Sequence, residues 1–205
     1  MSDVVEMNAV KSFKNFTLEV DLNVSEGEKV LIQGPNGSGK TTLLYLIYGV
    51  LIPDKGYVNV FGKNPSVEMR RDEMYMLEEH LVFLENLKLR DNLEFIKSLR
   101  GFKDDLLMDL LKTFNLPMDK KPYQLSSGQT RLFKIALAFS SGARLLLLDE
   151  PTSNLDSRNS EVVKGLIEAY PWAVVFASHD PMLKEACNKV LYLRVGKVEK
   201  IEKVK

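Results

Sequence analysis

Cysteine is almost missing from this chain. Cys187 stands alone among 205 residues, so no intrachain disulfide can form and a reducing compartment suits the protein. Its helix-like surroundings read as those of a small buried apolar residue, not a nucleophile. Net charge is missing too. The 28 Lys and Arg balance 28 Asp and Glu, which excludes an overall field that would gather nucleic acid or acidic lipid. Long apolar runs are also absent. The longest, 43–52, is about ten residues with a glycine inside, against the ~20 that cross a bilayer, so any membrane role has to come through a partner. Met1-Ser2-Asp3-Val4-Val5-Glu6 lacks the basic-then-apolar order of a secretory leader. Repeats, low-complexity stretches and interdomain linkers are missing, and the length suits one domain, 1–205. What remains, 45% apolar and 27% charged residues, is ordinary for a soluble globular protein.

The patterning predicts an α/β core with a mainly helical insertion. Thr17–Val24 alternates polar and apolar residues, a half-buried strand with Leu18, Val20, Leu22 and Val24 facing in. Glu26-Gly27-Glu28 turns the chain, and Lys29–Gln33 reads as a buried strand entering a glycine-rich loop. A helix from about Lys40 to Val50 and a strand at Tyr57–Phe61 follow. From about 71 to 142 the pattern turns helical, with Asp104-Asp105 placed to cap a helix carrying Leu106, Leu107, Leu110, Leu111 and Phe114 on one face. Strands and helices then alternate. Leu145–Leu148, Ala173–Ala177 and Val190–Leu193 are strands, and Asp180-Pro181 starts a helix between the last two. The alternating Lys, Glu and Val of 197–205 read as a solvated edge strand or tail.

Two segments carry chemistry by residue type. Gly34-Pro35-Asn36-Gly37-Ser38-Gly39-Lys40-Thr41 meets the phosphate-loop pattern in full, between a predicted strand and a predicted helix. Glycines let successive amide N–H groups point at phosphate oxygens, and the helix adds the positive end of its dipole. Lys40 is then the cation for the β- and γ-phosphates, and the Thr41 hydroxyl a ligand for Mg²⁺. The other segment is Leu145-Leu146-Leu147-Leu148-Asp149-Glu150. Four leucines suit the centre of a parallel sheet, and Asp149 falls at its carboxyl end, where ligands collect. There Asp149 can hold the metal's water shell, while Glu150 can act on an attacking water as general base.

Between these lies Leu125-Ser126-Ser127-Gly128-Gln129. With it, the chain resembles the ATP-binding cassette (ABC) ATPases, specifically the nucleotide-binding subunits of ABC transporters, over essentially its whole length. The resemblance implies a P-loop NTPase core of ABC type, a mixed sheet with N-terminal antiparallel strands plus a helical subdomain. It implies ATP and Mg²⁺ as ligands. Nucleotide contacts are expected at Gly34, Pro35, Asn36, Gly37, Ser38, Gly39, Lys40, Thr41 and Thr42. Further contacts come from Ser126, Ser127, Gly128 and Gln129, across a head-to-tail dimer that sandwiches ATP. Ser127 replaces the more usual glycine, harmless if its φ is negative. Ser153-Asn154-Leu155-Asp156 matches the family's D-loop, with Asn154 in place of alanine. His179 matches the switch histidine that assists Glu150 and Lys40 in catalysis. Phe13, 21 positions before Gly34, matches the aromatic that stacks on adenine, with Phe16 as rival.

One departure stands out. Tyr75-Met76-Leu77-Glu78-Glu79-His80 aligns with the Q-loop but holds no glutamine; Glu78 is the best match, a metal ligand by its carboxylate, and Glu79 the alternative. Leu132 and Leu137 occupy positions that are often arginine, suggesting a less polar helix surface. The expected function is ATP hydrolysis driving a separate membrane-spanning permease from the cytoplasmic face of the cell membrane. A homodimer is expected, and an exporter subunit by its short form. The alternative is an ABC ATPase outside transport, or a regulatory ATP-binding module. The 87 positions from Gly39 to Ser126 carry no sustained heptads, which argues against the coiled-coil chromosome-maintenance branch.

Overall fold

The four-leucine run is buried on both sides because it threads the middle of a sheet. Leu145, Leu146, Leu147 and Leu148 are all fully buried. Leu146 and Leu148 pack with Phe133, Leu137 and Phe139 on one face, while Leu145 and Leu147 pack with Leu43, Leu44 and Ile47 on the other. Period-two alternation thus serves two cores, which is why the run is apolar throughout.

The structure is a computed structural model describing residues 3–66, 69, 73–77 and 83–204. Its strands are β1 (Asp3–Phe13), β2 (Phe16–Ser25), β3 (Lys29–Gln33), β4 (Lys55–Val60), β5 (Met74–Leu77), β6 (Leu145–Asp149), β7 (Ala173–Ala177), β8 (Lys189–Arg194) and β9 (Lys197–Lys203). Its α-helices are α1 (Lys40–Tyr48), α2 (Leu89–Leu99), α3 (Asp104–Thr113), α4 (Ser127–Ser140) and α5 (Ser157–Ala169). The strands form one sheet in the order β4-β1-β2-β9-β8-β3-β7-β6-β5. From β8 to β5 the pairing is parallel. β1 pairs antiparallel with β2 and with β4. The expected α/β architecture, a mixed sheet with N-terminal antiparallel strands and added helices, is what the chain adopts.

Several local readings change. Met74–Leu77, inside the stretch read as helical, is a strand paired parallel to β6, with Met74, Met76 and Leu77 buried. A run this short and apolar shows neither period. β1 is a further strand, in which Val5, Met7 and Ala9 are buried and alternate with exposed Glu6 and Asn8. β9 is not an edge strand: it pairs antiparallel with β8 along its length and touches β2 at Glu19–Lys197. Asp104 and Asp105 do not cap α3. Lys103 is the N-cap, and the two carboxylates sit within the first turn, where they meet the positive end of the helix dipole. Leu132 and Leu137 face the core, so α4 presents no apolar surface there. Helix α1 stops at Gly49, in a left-handed cap. Asp180 caps a 3-10 turn, Pro181–Ala186, by accepting from the Met182 N–H, and Cys187 ends that turn, buried.

Two buried polar side chains fix the loops that feed β3 and β7. Lys29 Nζ donates to the carbonyls of Gly27, Tyr170 and Trp172 at 2.7, 2.8 and 2.9 Å. Burial lowers its pKa, since a charge there loses its water. The Tyr170 hydroxyl donates to the Ala143 carbonyl at 2.6 Å, and its ring meets Phe139 edge-on. Burial pushes this phenol up to about 12.

Candidate functional site

Strand β3 delivers the chain into the loop 34–39, and α1 begins at Lys40. Gly39, with φ 107, is the helix N-cap and offers no side-chain cap; the first turn holds no acidic residue. Among the described residues no side chain caps the first-turn N–H groups, an arrangement suited to an anion. Only glycine takes that φ without strain. The Ser38 side chain is buried, turned away from the open side of the loop. Its carbonyl accepts from the Gly196 N–H at 3.0 Å, while Gly196 O accepts from Glu19 N at 2.7 Å. The turn between β8 and β9 thus braces the loop from behind and ties it to β2.

Lys40 is folded back onto the same loop. Its Nζ donates to the carbonyls of Gly34 at 2.9 Å and Pro35 at 3.3 Å, and lies 3.1 Å from His179 Nε2. That nitrogen is also 2.9 Å from Asn36 Oδ1 and 3.3 Å from Glu150 Oε1. One ring nitrogen carries either a proton or a lone pair, so it serves the amine or the oxygens, not both. His179 follows β7, and its backbone N–H donates to Glu150 Oε2 at 3.3 Å.

Glu150 itself has φ 47, a conformation costing a non-glycine residue about 1–3 kcal/mol. It is held there by its N–H to Ala177 O at 2.9 Å and by Ser153 N to its carbonyl at 3.1 Å. The strand end thereby points Asp149 one way and Glu150 another. Asp149 Oδ2 accepts from the Thr41 hydroxyl at 2.6 Å. A neutral and an anionic oxygen side by side, next to a phosphate-ready loop, form a hard donor set of the kind Mg²⁺ takes when phosphate and water complete its shell. Glu78, the expected third metal ligand, and Glu79 lie outside the described residues.

The pentapeptide sits at the start of α4. Ser126 is the N-cap: its Oγ accepts from the Gln129 N–H at 3.1 Å, and Gln129 Oε1 accepts from the Ser126 N–H at 3.1 Å. This reciprocal box leaves the Ser126 hydroxyl proton to point outward. Ser127 is the first helical residue and has no positive φ, so a serine fits where glycine was expected. At Gly128 a Cβ would come within 2.8 Å of the Asn154 carbonyl, so the D-loop packs directly on this helix end.

A cleft of about 510 Å³ opens over the phosphate loop. Its walls are Phe16, residues of the 36–42 segment, Arg131, Asp149, Glu150 and Ser153. Phe16, not Phe13, lines it; Phe13 is 45% exposed at the end of β1, its ring centroid 6.2 Å from that of Phe16. None of Ser126, Ser127, Gly128 or Gln129 reaches the cleft walls. Arg131 does, and nothing in its sequence context points to that role. Helical periodicity says nothing about a partner on a strand end eighteen positions away. Its guanidinium donates to the Asp149 carbonyl at 3.1 Å and to Ser153 Oγ at 2.9 Å.

Known proteins share this chain's sequence pattern and fold. The chain is 34% identical over 217 residues to a sulfate/thiosulfate import ATP-binding protein of Rhodopseudomonas palustris, covering 95% of this chain and 61% of that protein. It is 31% identical over 195 residues to a macrolide export ATP-binding/permease protein of Aeromonas hydrophila, covering 87% of this chain and 30% of that one. The chain spans 60–64% of the length of its sulfate/thiosulfate import relatives. Among solved structures, a dimeric post-hydrolysis ATP-binding cassette bound to ADP and Pi superposes with a TM-score of 0.84 at 29% identity, covering 98% of this chain and 99% of that one. The family pattern described as ABC transporter matches residues 18–153, from β2 through the phosphate loop and pentapeptide to the acidic strand end, and the chain belongs to that family.

Proposed function

We propose that this chain binds Mg-ATP in the cleft and hydrolyses it as the ATP-binding subunit of a transporter. The observation carrying this is convergence: Thr41, Asp149, Glu150, His179 and Lys40, from two strand ends and one helix, meet around one phosphate-ready loop. Lys40 and the loop amides bind phosphate oxygens. Thr41 and Asp149 hold the magnesium, which when bound supplies charge neutralisation at those oxygens. Glu150 takes a proton from the attacking water, and His179, within reach of Glu150 and Lys40, orients it. Phe16 provides the apolar wall for the base, in place of Phe13.

The active form is a head-to-tail dimer. Ser126 and its neighbours lie away from this cleft, so a second copy has to bring them to it, and the similar solved cassette is dimeric. No helix of the described residues is long and apolar enough to cross a membrane. A permease partner places the subunit at the cytoplasmic face of the membrane and chooses the cargo. Importer and exporter relatives match at similar identity, so the same chemistry serves either direction. Glu150→Gln tests the reading. Turnover should fall by roughly 10²–10⁴ while ATP binding persists and an ATP-dependent dimer accumulates on size exclusion. Wild-type turnover in that variant would overturn it.

A further inference from the structure

The backbone on either side of the proposed general base is gripped by a side chain from α4, Arg131. Glu150 sits in a left-handed conformation at the end of β6, and the residue before it offers its carbonyl to Arg131. The same guanidinium grips the Ser153 hydroxyl, at the far end of the turn that Glu150 opens. Ser153 N–H in turn closes that turn onto the Glu150 carbonyl. One planar fork therefore spans the turn 149–153 from outside, fixing both of its ends to α4. On the same side, Gly128 lets the Asn154 carbonyl approach α4, so helix end and turn pack directly together.

We infer that Arg131 is a positioning residue for hydrolysis, acting through the Asp149 carbonyl and Ser153 hydroxyl to hold Glu150 in its strained pose. Its guanidinium is directed at the Asp149 carbonyl and the Ser153 hydroxyl, while Lys40 is the cation that faces the loop carbonyls and His179. Because Arg131 and Ser126 share α4, the helix end offered to a second copy and the base of its own cleft are joined by this one fork. The inference rests on the function proposed above.

The test separates positioning from binding. Arg131→Ala should lower kcat about tenfold or more, with the Kd for ATP, measured by calorimetry, within twofold of wild type. Arg131→Lys, which keeps the charge but reaches one acceptor at a time, should recover part of kcat and guards against a folding defect in the alanine variant. Ser153→Ala should lower kcat by a smaller factor, and adding it to Arg131→Ala should cost nothing further. An unchanged kcat in Arg131→Ala, a parallel loss of ATP affinity, a lysine variant no better than alanine, or multiplicative losses in the double variant would each overturn the inference. Glu150→Gln run alongside keeps the two readings distinct. If it is inactive while Arg131→Ala is normal, only the role of Arg131 fails; if it retains turnover, the proposed function fails.

Discussion

The Thr41 hydroxyl lies 2.6 Å from Asp149 Oδ2, joining the first turn of α1 to the end of β6 across 108 positions of chain. A hydroxyl and a carboxylate this close would hold a divalent cation or its water shell beside the phosphate loop. Asp149→Asn keeps the shape and removes the charge. In wild type, adding magnesium should tighten nucleotide binding about tenfold or more over EDTA, the scale of a charge-assisted contact of ~1.5–3 kcal/mol. In the asparagine variant the two titrations should nearly coincide, and a preserved magnesium effect would remove Asp149 from the metal site.

Lys40 spends its proton donors on Gly34 and Pro35 carbonyls. An incoming phosphate is a better acceptor than either. Lys40→Ala should raise the Kd for ATP by roughly 10–100-fold, again on the scale of ~1.5–3 kcal/mol. Calorimetry returning the wild-type Kd would show that the amine does not meet the nucleotide.

Ser126→Ala removes an N-cap and should lower unfolding stability by about 1 kcal/mol in a denaturant titration. ATP affinity of the monomer should not change, because Ser126 is not part of its own cleft. Placed on Glu150→Gln, the same change should weaken the ATP-dependent dimer. A dimer of undiminished stability would separate the pentapeptide from the shared site.

Tyr170 gives a pH signature. Burial lifts its hydroxyl from an ordinary value of 10.0 to about 12, so between these values the folded chain keeps a proton that the unfolded chain has lost. Stability from this group is full below pH 10 and falls as pH rises toward 12, by roughly 2–3 kcal/mol over the window. Tyr170→Phe should be less stable at neutral pH, having lost the bond to Ala143, yet decline less steeply in that window. Parallel curves would mean that the phenol titrates normally.

The phosphate loop, the acidic strand end and the capping serine were legible because each depends on residues adjacent in sequence. Leu145–Leu148 read correctly as a central strand because burial on both faces leaves no polar position. The parts that escaped depend on distant partners. Met74–Leu77 is a strand only because β6 lies beside it. Lys197–Lys203 reads as a solvated strand by composition, but its place between β8 and β2 is set by the turn at Gly196. Phe13 and Phe16 are near neighbours flanking one turn, and spacing favoured the first while the cleft takes the second. Arg131 needed a carbonyl and a hydroxyl that only the folded turn presents.

The bond from Gly196 to the Ser38 carbonyl sets an order in time as well as in space. A ribosome finishes the glycine-rich segment about 150 residues before it makes the hairpin that backs it. Until those last strands emerge, the segment lacks its support and β3 lacks the neighbour on that side. Nucleotide capture thus reports that synthesis has reached the hairpin, and a nascent chain halted short of residue 189 should bind ATP poorly although every residue that touches phosphate has already been made.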